Sequence, residues 1–403
     1  MKLQYLKLPF TLILILIFCQ PLTAKQKIYQ NEHAITYAPH MGRFGDHICG
    51  YSKTKWLSYK YKIPFLFNPF VPGHPETLDL FKQLTIFKAE THASKELIEL
   101  IRKREYGKTV NPYLRMFIVE KESDLSAALK KTDMPTLFIC SLGTQLDLTY
   151  ETKFKKCINK YIWDIDLQLY LISLEKPFSS ELKKMLTPIT PITQKMPTDQ
   201  VTVAVHIRTG EGYDYKKDPD FIQYYDNKKN FTKYNLIQIN DQKNKVMFFG
   251  NKEILISYPE NKEKEQNALN KRKLSMLRFL PKQYYVDQII KLSELLNNKN
   301  LFVYIFTDAK DKFALINEIK SKVNLPNITW GYELPNSTNS SNIIEDFDAM
   351  SQFDCLIRPH SNFSIAASIL GSHKIIISPA NARWVDEKLL LINEVNIVMH
   401  NNK

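Results

Sequence analysis

The sequence contains little glycine: 11 residues in 403, under half of the share of roughly 7% found in ordinary proteins. That scarcity excludes a collagen-like chain and a glycine-rich linker protein. Because glycine most easily adopts positive φ and allows close backbone approach, a glycine after a predicted strand marks a candidate ligand-binding turn. The 23 phenylalanines and 21 tyrosines supply enough apolar surface to exclude a wholly disordered chain.

Cysteine is also scarce, and common metal and nucleophile motifs are missing. The sequence has no H-E-x-x-H, no G-x-S-x-G and no Walker loop. Beyond the amino-terminal leader, Cys49, Cys140, Cys157 and Cys355 show no metal-binding spacing, so we predict no metal site. An oxidising compartment would allow up to two disulfides among these four, in three connectivities. Cys140 ends an apolar run, which predicts a buried free thiol.

Long apolar runs are missing after the amino terminus. There, Lys2 and Lys7 precede the apolar run Leu12–Phe18, and small residues follow it. That order is typical of a secretory signal, and the run is shorter than the roughly 20 residues of a membrane span. We therefore predict a signal peptide or short anchor over residues 1–24. The expected location is the secretory-pathway lumen or outside the cell, with membrane association through residues 8–18 as the alternative.

Acidic residues are fewer than basic ones, 42 against 55, and the formal net charge is +13. A basic surface attracts nucleic acids, anionic membranes or phosphorylated ligands. The sequence has no arginine-rich run and no zinc pattern, so we predict no nucleic-acid partner. A protein that binds anionic surfaces through its lysine-rich segment remains an alternative.

Strands alternate with helices along the chain, which predicts an α/β fold with parallel sheets. A proline- and threonine-rich stretch over 188–200 separates an amino-terminal domain, 30–190, from a carboxyl-terminal domain, 200–390. Within the second domain, the Lys/Asn-rich region 213–273 is predicted to be a surface insertion. It contains two apolar runs around Gly250-Asn251, which predict a hairpin.

Three segments carry candidate chemistry. The turn Gly42–His47 lies between a predicted strand and a helix, where backbone N–H groups can approach an anion. The segment His206–Gly212 ends a buried strand, at the sheet edge where ligands bind in open α/β folds, and its Arg208 can pair with a diphosphate. The segment Asp346–Gly371 runs from a helical stripe of Asp346, Met350 and Asp354 to Arg358 and a hydroxyl-rich helix start. Its Ser361, Asn362, Phe363 and Ser364 form that helix start.

In this order the three segments resemble motifs of the GDP-fucose-dependent fucosyltransferases, the α-1,2 branch in particular, which are related to the protein O-fucosyltransferases. Gly42, Arg43, Phe44 and Gly45 are similar to the family's amino-terminal loop. His206, Arg208 and Glu211 are similar to its H-x-R-x-G-D motif. Tyr284-Tyr285 with the later Asp308 resembles its YY…FSD stretch, and Asp346 to Ser364 resembles its last motif.

The resemblance implies a GT-B architecture, in which two Rossmann-like parallel-sheet domains face a cleft. It further implies an inverting, metal-independent glycosyltransferase without a cofactor, with GDP-fucose as donor and a glycan or glycoprotein as acceptor. His206 and Asp346 would hold guanine, Arg208 would neutralise the leaving β-phosphate, and Ser361 with Asn362 would hold phosphate oxygens.

Two departures from the family pattern bear on catalysis. Asp46-His47 replaces an Asn-Gln pair, and Glu211 replaces an aspartate. Asp46 and Glu211 are the candidate bases for the acceptor hydroxyl. A non-catalytic nucleotide- or glycan-binding protein on the same fold and a transferase with another nucleotide sugar remain alternatives.

Overall fold

A computed structural model describes most of the two predicted domains. The described residues are 33–38, 42–69, 75–106, 108–109, 112–113, 115–147, 176–190, 196–209, 222–224, 233–240, 245–249, 277–331, 343–384 and 389–400. The predicted signal, Cys157 and Glu211 lie outside these residues. Within them, no helix is both long enough and apolar enough to cross a bilayer.

The amino-terminal half is built around a small parallel sheet. Its elements are β1 (Ala34–Tyr37), α1 (Phe44–Tyr61), α2 (Pro75–Lys82), α3 (Ile86–Ala89), α4 (Lys95–Lys103), β2 (Arg115–Lys121), α5 (Glu122–Lys131), β3 (Thr136–Gln145) and α6 (Lys176–Met185). The strand order is β1-β3-β2, and both pairings are parallel. Parallel bridges from Ile35 to Phe65 and from Phe67 to His92 extend this order beyond β1.

The carboxyl-terminal half contains the larger sheet. Its elements are β4 (Val201–Ile207), β5 (Ile222–Tyr224), β6 (Lys233–Asn240), β7 (Lys245–Phe249), α7 (Lys282–Leu295), β8 (Leu301–Thr307), α8 (Lys312–Val323), β9 (Ile328–Gly331), α9 (Ile343–Gln352), β10 (Cys355–Ile357), α10 (Asn362–Leu370), β11 (Ile375–Trp384) and β12 (Leu389–His400). The predicted α/β class with parallel sheets in both halves is confirmed.

The parallel part of the larger sheet has the doubly wound order β9-β8-β4-β10-β11. From β4 the chain builds outward through β8 and β9, then returns to add β10 and β11 on the other side of β4. The strand order therefore reverses between β4 and β10, and open α/β sheets bind ligands at the carboxyl ends of the strands beside such a reversal. Arg208 follows β4 there, and Arg358 follows β10.

Side chains of β4 alternate between the two faces of this sheet. Val203, Val205 and Ile207 pack into the core beneath α7 and α8. Ala204 belongs to a different core, which also contains residues of the amino-terminal half. Both faces are covered, and a parallel strand buried on both faces requires the nearly continuous β-branched run that this segment has.

The two halves share that second core. The Phe44 ring at the start of α1 lies edge-on to Phe347 of α9, with 5.3 Å between ring centroids. Phe347 is also 5.7 Å from Phe363 of α10. Phe44, Phe347 and Phe363 belong to one hydrophobic cluster, with Phe363 partly buried at its border. The start of α1 is thereby held against the edge of the larger sheet at which β4 and β10 end.

Part of the predicted surface insertion belongs to the larger sheet. β6 pairs in parallel with β12, a strand that the sequence analysis did not predict, and β7 pairs antiparallel with β6. β6 pairs with one edge of β7, and the predicted hairpin would use the other edge, so the hairpin stays a prediction. Its second run, 253–256, lies outside the described residues.

The predicted helical stripe ends early. Asp346 and Met350 lie on α9, but the helix stops at Gln352 and leaves Asp354 outside it. One carboxylate oxygen of Asp354 accepts hydrogen bonds from the backbone N–H and the hydroxyl of Thr202, both at 3.0 Å. Asp354 thus ties the loop before β10 to the start of β4 and does not extend the stripe toward the candidate site.

Candidate functional site

Arg208 and Ser361 meet at the strand reversal between β4 and β10. Nη1 of Arg208 donates to Oγ of Ser361 at 3.4 Å, the long end of the hydrogen-bond range. The same guanidinium lies 5.7 Å from the ring centroid of Phe279. A cation and a hydroxyl from segments 153 residues apart therefore converge on one point of the sheet edge.

The hydroxyl of Ser361 is available to this contact because it does not cap its own helix. Ser361 is the N-cap of α10, has extended backbone angles, and makes no side-chain capping bond. Its carbonyl accepts from the Ile365 N–H at 2.9 Å and from the Ser364 hydroxyl at 3.1 Å. The first N–H groups of a helix point outward with partial positive charge, so this helix start favours an anion.

The start of α1 lies directly against the start of α10. A Cβ added to Gly45 would lie 2.5 Å from the backbone nitrogen of Phe363, so only glycine fits there. The side-chain amide of Asn362 donates to Oδ1 of Asp46. Behind this contact, the Cys49 thiol lies 3.7 Å from the Asn362 carbonyl oxygen. The glycine turn predicted from the sequence therefore faces the predicted hydroxyl-rich helix start.

Asp46 also closes its own turn. Its Oδ2 accepts from the Arg43 N–H at 2.8 Å, and its N–H donates to the Arg43 carbonyl at 2.9 Å. A Cβ on Gly42 would lie 2.1 Å from Oδ2, so the carboxylate occupies the space that a larger residue at 42 would need. Steric contacts therefore explain why positions 42 and 45 of this turn are both glycine.

His206 is the last inward-facing side chain of β4 on the side of the shared core. It is buried, with its ring 5.7 Å from the Phe363 ring. Burial, reinforced by the positive charges of Arg208 and Arg358, lowers the pKa of His206 to about 3. The imidazole is therefore neutral at physiological pH and can accept or donate one hydrogen bond without carrying charge.

Asp308 contacts the loop that carries Arg208, and Asp346 lies on the neighbouring helix α9. Oδ1 of Asp308, just after β8, accepts from the Thr209 N–H at 2.6 Å and from its hydroxyl at 3.0 Å, which ties together the loops after β8 and β4. Asp346 lies in the first turn of α9, where burial raises the pKa of its carboxyl to about 6. The positive charge of Lys312 acts in the opposite direction and lowers this pKa.

Arg358 is buried after β10, and its Nη1 donates to the Pro359 carbonyl at 3.3 Å. The structure also adds two residues that sequence reasoning missed. Phe279 lies beside the Arg208 guanidinium, and no sequence signal marked it. Thr209 links Arg208 to Asp308, and its position next to Arg208 could have indicated it.

Of the four cysteines beyond the predicted leader, the structure describes Cys49, Cys140 and Cys355. All three are buried, and none forms a disulfide with another described residue. Cys140 is a buried thiol, as predicted, and burial raises its pKa to about 12, which makes it unreactive. Among the described residues, no group of three or more His, Cys, Asp or Glu side chains is placed to hold a metal ion.

Comparisons with known proteins gave structural similarity only. No protein-family model matches the sequence, and no curated protein matches it. The chain is similar to a solved structure of POFUT1 in complex with GDP-fucose, at 14% identity and a TM-score of 0.32, over 85% of this chain and 95% of that one. It is likewise similar to apo POFUT1, at 15% identity and a TM-score of 0.32, over 85% and 96%.

Proposed function

We propose that this chain is a glycosyltransferase that moves a sugar from a nucleotide sugar to a hydroxyl of a glycan or a protein, with GDP-fucose as the expected donor. The observation that carries the proposal is the contact between the Arg208 guanidinium and the Ser361 hydroxyl at the start of α10. A departing diphosphate is stabilised by such a pair, a forked cation on one side and a helix N-terminus on the other.

The proposed reaction is one in-line displacement. The acceptor oxygen bonds to the anomeric carbon while the bond from that carbon to the β-phosphate oxygen breaks. The electron pair of the broken bond stays on the diphosphate, where Arg208 and the α10 N–H groups offset the added charge. The acceptor proton passes to a base, for which Glu211, outside the described residues, is our candidate.

The nucleoside would lie beside this anion site. His206 is neutral and lies within reach of the Phe363 ring, and Asp346 is in the first turn of the adjacent helix α9. A neutral imidazole and a carboxyl with raised pKa suit a purine edge that offers both donors and acceptors. The family resemblance assigns the same two residues to guanine.

The acceptor and the cellular location are further parts of the proposal. The amino-terminal half, whose α1 faces the site through Gly45, would carry the acceptor. The likeness to the α-1,2 branch favours a sugar hydroxyl over a protein side chain. The predicted signal favours a secretory lumen, where nucleotide sugars are supplied.

The test is a donor panel with a matched pair of variants. Calorimetry with GDP, UDP and ADP, followed by hydrolysis assays with their sugars, should show GDP binding and slow GDP-fucose hydrolysis. Arg208→Ala should lower turnover by on the order of a hundredfold or more, because it removes the charge that stabilises the leaving diphosphate. Arg102→Ala, on the exposed face of α4, should leave it intact. Turnover by Arg208→Ala at the wild-type rate would contradict the proposal.

A second function is favoured by one observation. Both carboxylate oxygens of Asp46 already accept hydrogen bonds, where the resembling enzymes carry an amide. A non-catalytic nucleotide- or glycan-binding protein on this fold would bind GDP without hydrolysing any sugar nucleotide in the same panel. Preference for another base in the panel would indicate a different donor.

A further inference from the structure

We propose that Asp46 and Asn362 form a positioning pair that holds the start of α10 against the start of α1, so that Ser361 faces Arg208. Asp46 then acts through Asn362 and not as the base that the sequence suggested. The inference rests on the proposed function only for the identity of the ligand. The pair itself rests on hydrogen bonds and steric contacts within the described residues.

The hydrogen bonds of Asp46 explain why position 46 holds an aspartate. Oδ1 of Asp46 accepts from the Asn362 amide, and Oδ2 accepts from the Arg43 N–H at 2.8 Å. An ionised carboxylate offers acceptors on both oxygens, whereas an amide offers one acceptor and one donor group. With asparagine at position 46, a donor would therefore face either Asn362 or the Arg43 N–H. A carboxylate accepts from both groups at once, whereas asparagine would force the Asn362 amide to turn its oxygen toward position 46.

Backbone contact transmits the position of one helix to the other. Gly45 lies so close to α10 that a Cβ there would come within 2.5 Å of the Phe363 nitrogen and 2.7 Å of the Asn362 carbonyl carbon. Asn362 directly follows Ser361, whose hydroxyl accepts from Arg208. A shift of the first turn of α1 therefore moves the residue next to the proposed phosphate ligand.

The Asp46 carboxylate also has an electrostatic role at the junction of α1 and α10. The N-termini of α1 and α10 each carry partial positive charge, and they meet at Gly45. Two like-charged helix ends repel each other unless an anion lies between them. The Asp46 carboxylate supplies that anion from within the chain, so the junction is formed before any ligand binds.

The test is an exchange of the two side chains. Asp46→Asn and Asn362→Asp are made singly and together, and thermal unfolding and GDP affinity are measured for each protein. Each single variant should lower the melting temperature by a few degrees and weaken GDP binding by about tenfold. Asn362→Asp sets two carboxylates against each other, and Asp46→Asn loses the charged acceptor and forces the Asn362 amide to turn its oxygen toward position 46. In the double variant, the amide at position 46 accepts from the Arg43 N–H and donates to the carboxylate at position 362.

The double variant should therefore recover most of the lost stability and affinity, a positive coupling in a double-mutant cycle. The matched control is the Asp348–Gln352 pair on α9, where Gln352 donates to Asp348 at 2.8 Å within one helix. Asp348→Asn should leave GDP affinity unchanged. A loss in the double variant that is smaller than the sum of the two single losses supports the positioning pair.

Two results would overturn the proposed positioning pair. If Asp46→Asn keeps the melting temperature and GDP affinity and loses turnover alone, Asp46 is a base. If the double variant is no better than the two single changes combined, the residues do not act as a pair. A wild-type chain that binds no nucleotide refutes the proposed function, and the coupling in the melting temperature then decides the positioning pair by itself.

Discussion

The Cα of Gly45 faces the backbone nitrogen of Phe363 at a distance that leaves no room for a methyl group: a Cβ there would lie 2.5 Å from that nitrogen. The neighbouring atoms belong to the backbone of α10, which cannot rotate away as a side chain can. The first turn of α1 is therefore fitted to the first turn of α10.

We predict that Gly45→Ala destabilises the protein by about 1–3 kcal/mol through overpacking and weakens nucleotide binding. Gly50, five residues later in the same helix, is the matched control, since a Cβ there would meet only the Tyr37 ring at 3.9 Å. Gly50→Ala should be neutral or stabilise the fold by up to about 1 kcal/mol, because alanine favours a helix. Urea unfolding of the two variants measures the difference, and equal effects would contradict the close fit.

Ser361 should contribute to nucleotide binding through its hydroxyl. Ser361→Ala removes the acceptor that faces Arg208, and we expect GDP affinity to fall by roughly tenfold, the effect of one hydrogen bond to a charged group. Ser368→Ala is the control on the same helix, because its buried hydroxyl donates to the Ile365 carbonyl at 2.7 Å. Calorimetry should show wild-type affinity for Ser368→Ala, and equal losses would count against the anion site.

Phe347 should be among the costliest side chains to remove. It is fully buried between Phe44 and Phe363, so it contacts residues of both halves. Phe347→Ala should lower the free energy of unfolding by about 3–5 kcal/mol, because it leaves a cavity at that junction. Phe313→Ala is the control, since that ring is 59% exposed, and it should change stability by under about 0.5 kcal/mol. Denaturant unfolding compares them.

His206 should make the fold less stable in acid. Its pKa is about 3 in the folded chain, below the ordinary 6.5, because the imidazole is buried near Arg208 and Arg358. Between these values the unfolded chain takes up a proton that the folded chain does not, so stability falls as pH drops from about 6.5 toward 3. His206→Asn should flatten this part of the stability curve, measured by urea unfolding at several pH values. An NMR signal assigned to the His206 imidazole that titrates near pH 6.5 would disprove the shift.

Asp346 should make the fold less stable as pH rises, the opposite of the effect of His206. Burial raises the pKa of its carboxyl from 3.8 to about 6, so the folded chain keeps a proton that the unfolded chain releases. Stability therefore falls as pH rises through that interval and stays lower above it. Asp346→Asn should raise the melting temperature at pH 7 while it weakens GDP binding, if the side chain contacts the base. A lower melting temperature would contradict the shift.

Several elements were predictable because their signals are local. The β-branched residues before His206 predict a buried strand, and β4 is observed there, over Val201–Ile207. The hydroxyl-rich segment after Arg358 predicts a helix start, and α10 begins there, at Asn362. In each case the residue types alone favour one backbone conformation.

Other features depend on partners far along the chain. The pairing of β6 with β12 brings together segments whose own sequences do not specify each other. Asp354 was predicted on a helix because its spacing from Asp346 is helical, yet its hydrogen bonds to Thr202 hold it outside. The sequence-based division into two domains stays a prediction.

The sequence by itself determined the alternation of strands and helices, the glycine turn and the chemical types of the site residues, since these follow from local backbone preference and side-chain chemistry. Only the tertiary structure decided which of those groups meet. Asp46 and Asn362 are 316 positions apart, and their contact exists because two helix ends are brought together by a shared aromatic core. The neutral state of His206 has the same origin, because burial and neighbouring charge are properties of the assembled fold.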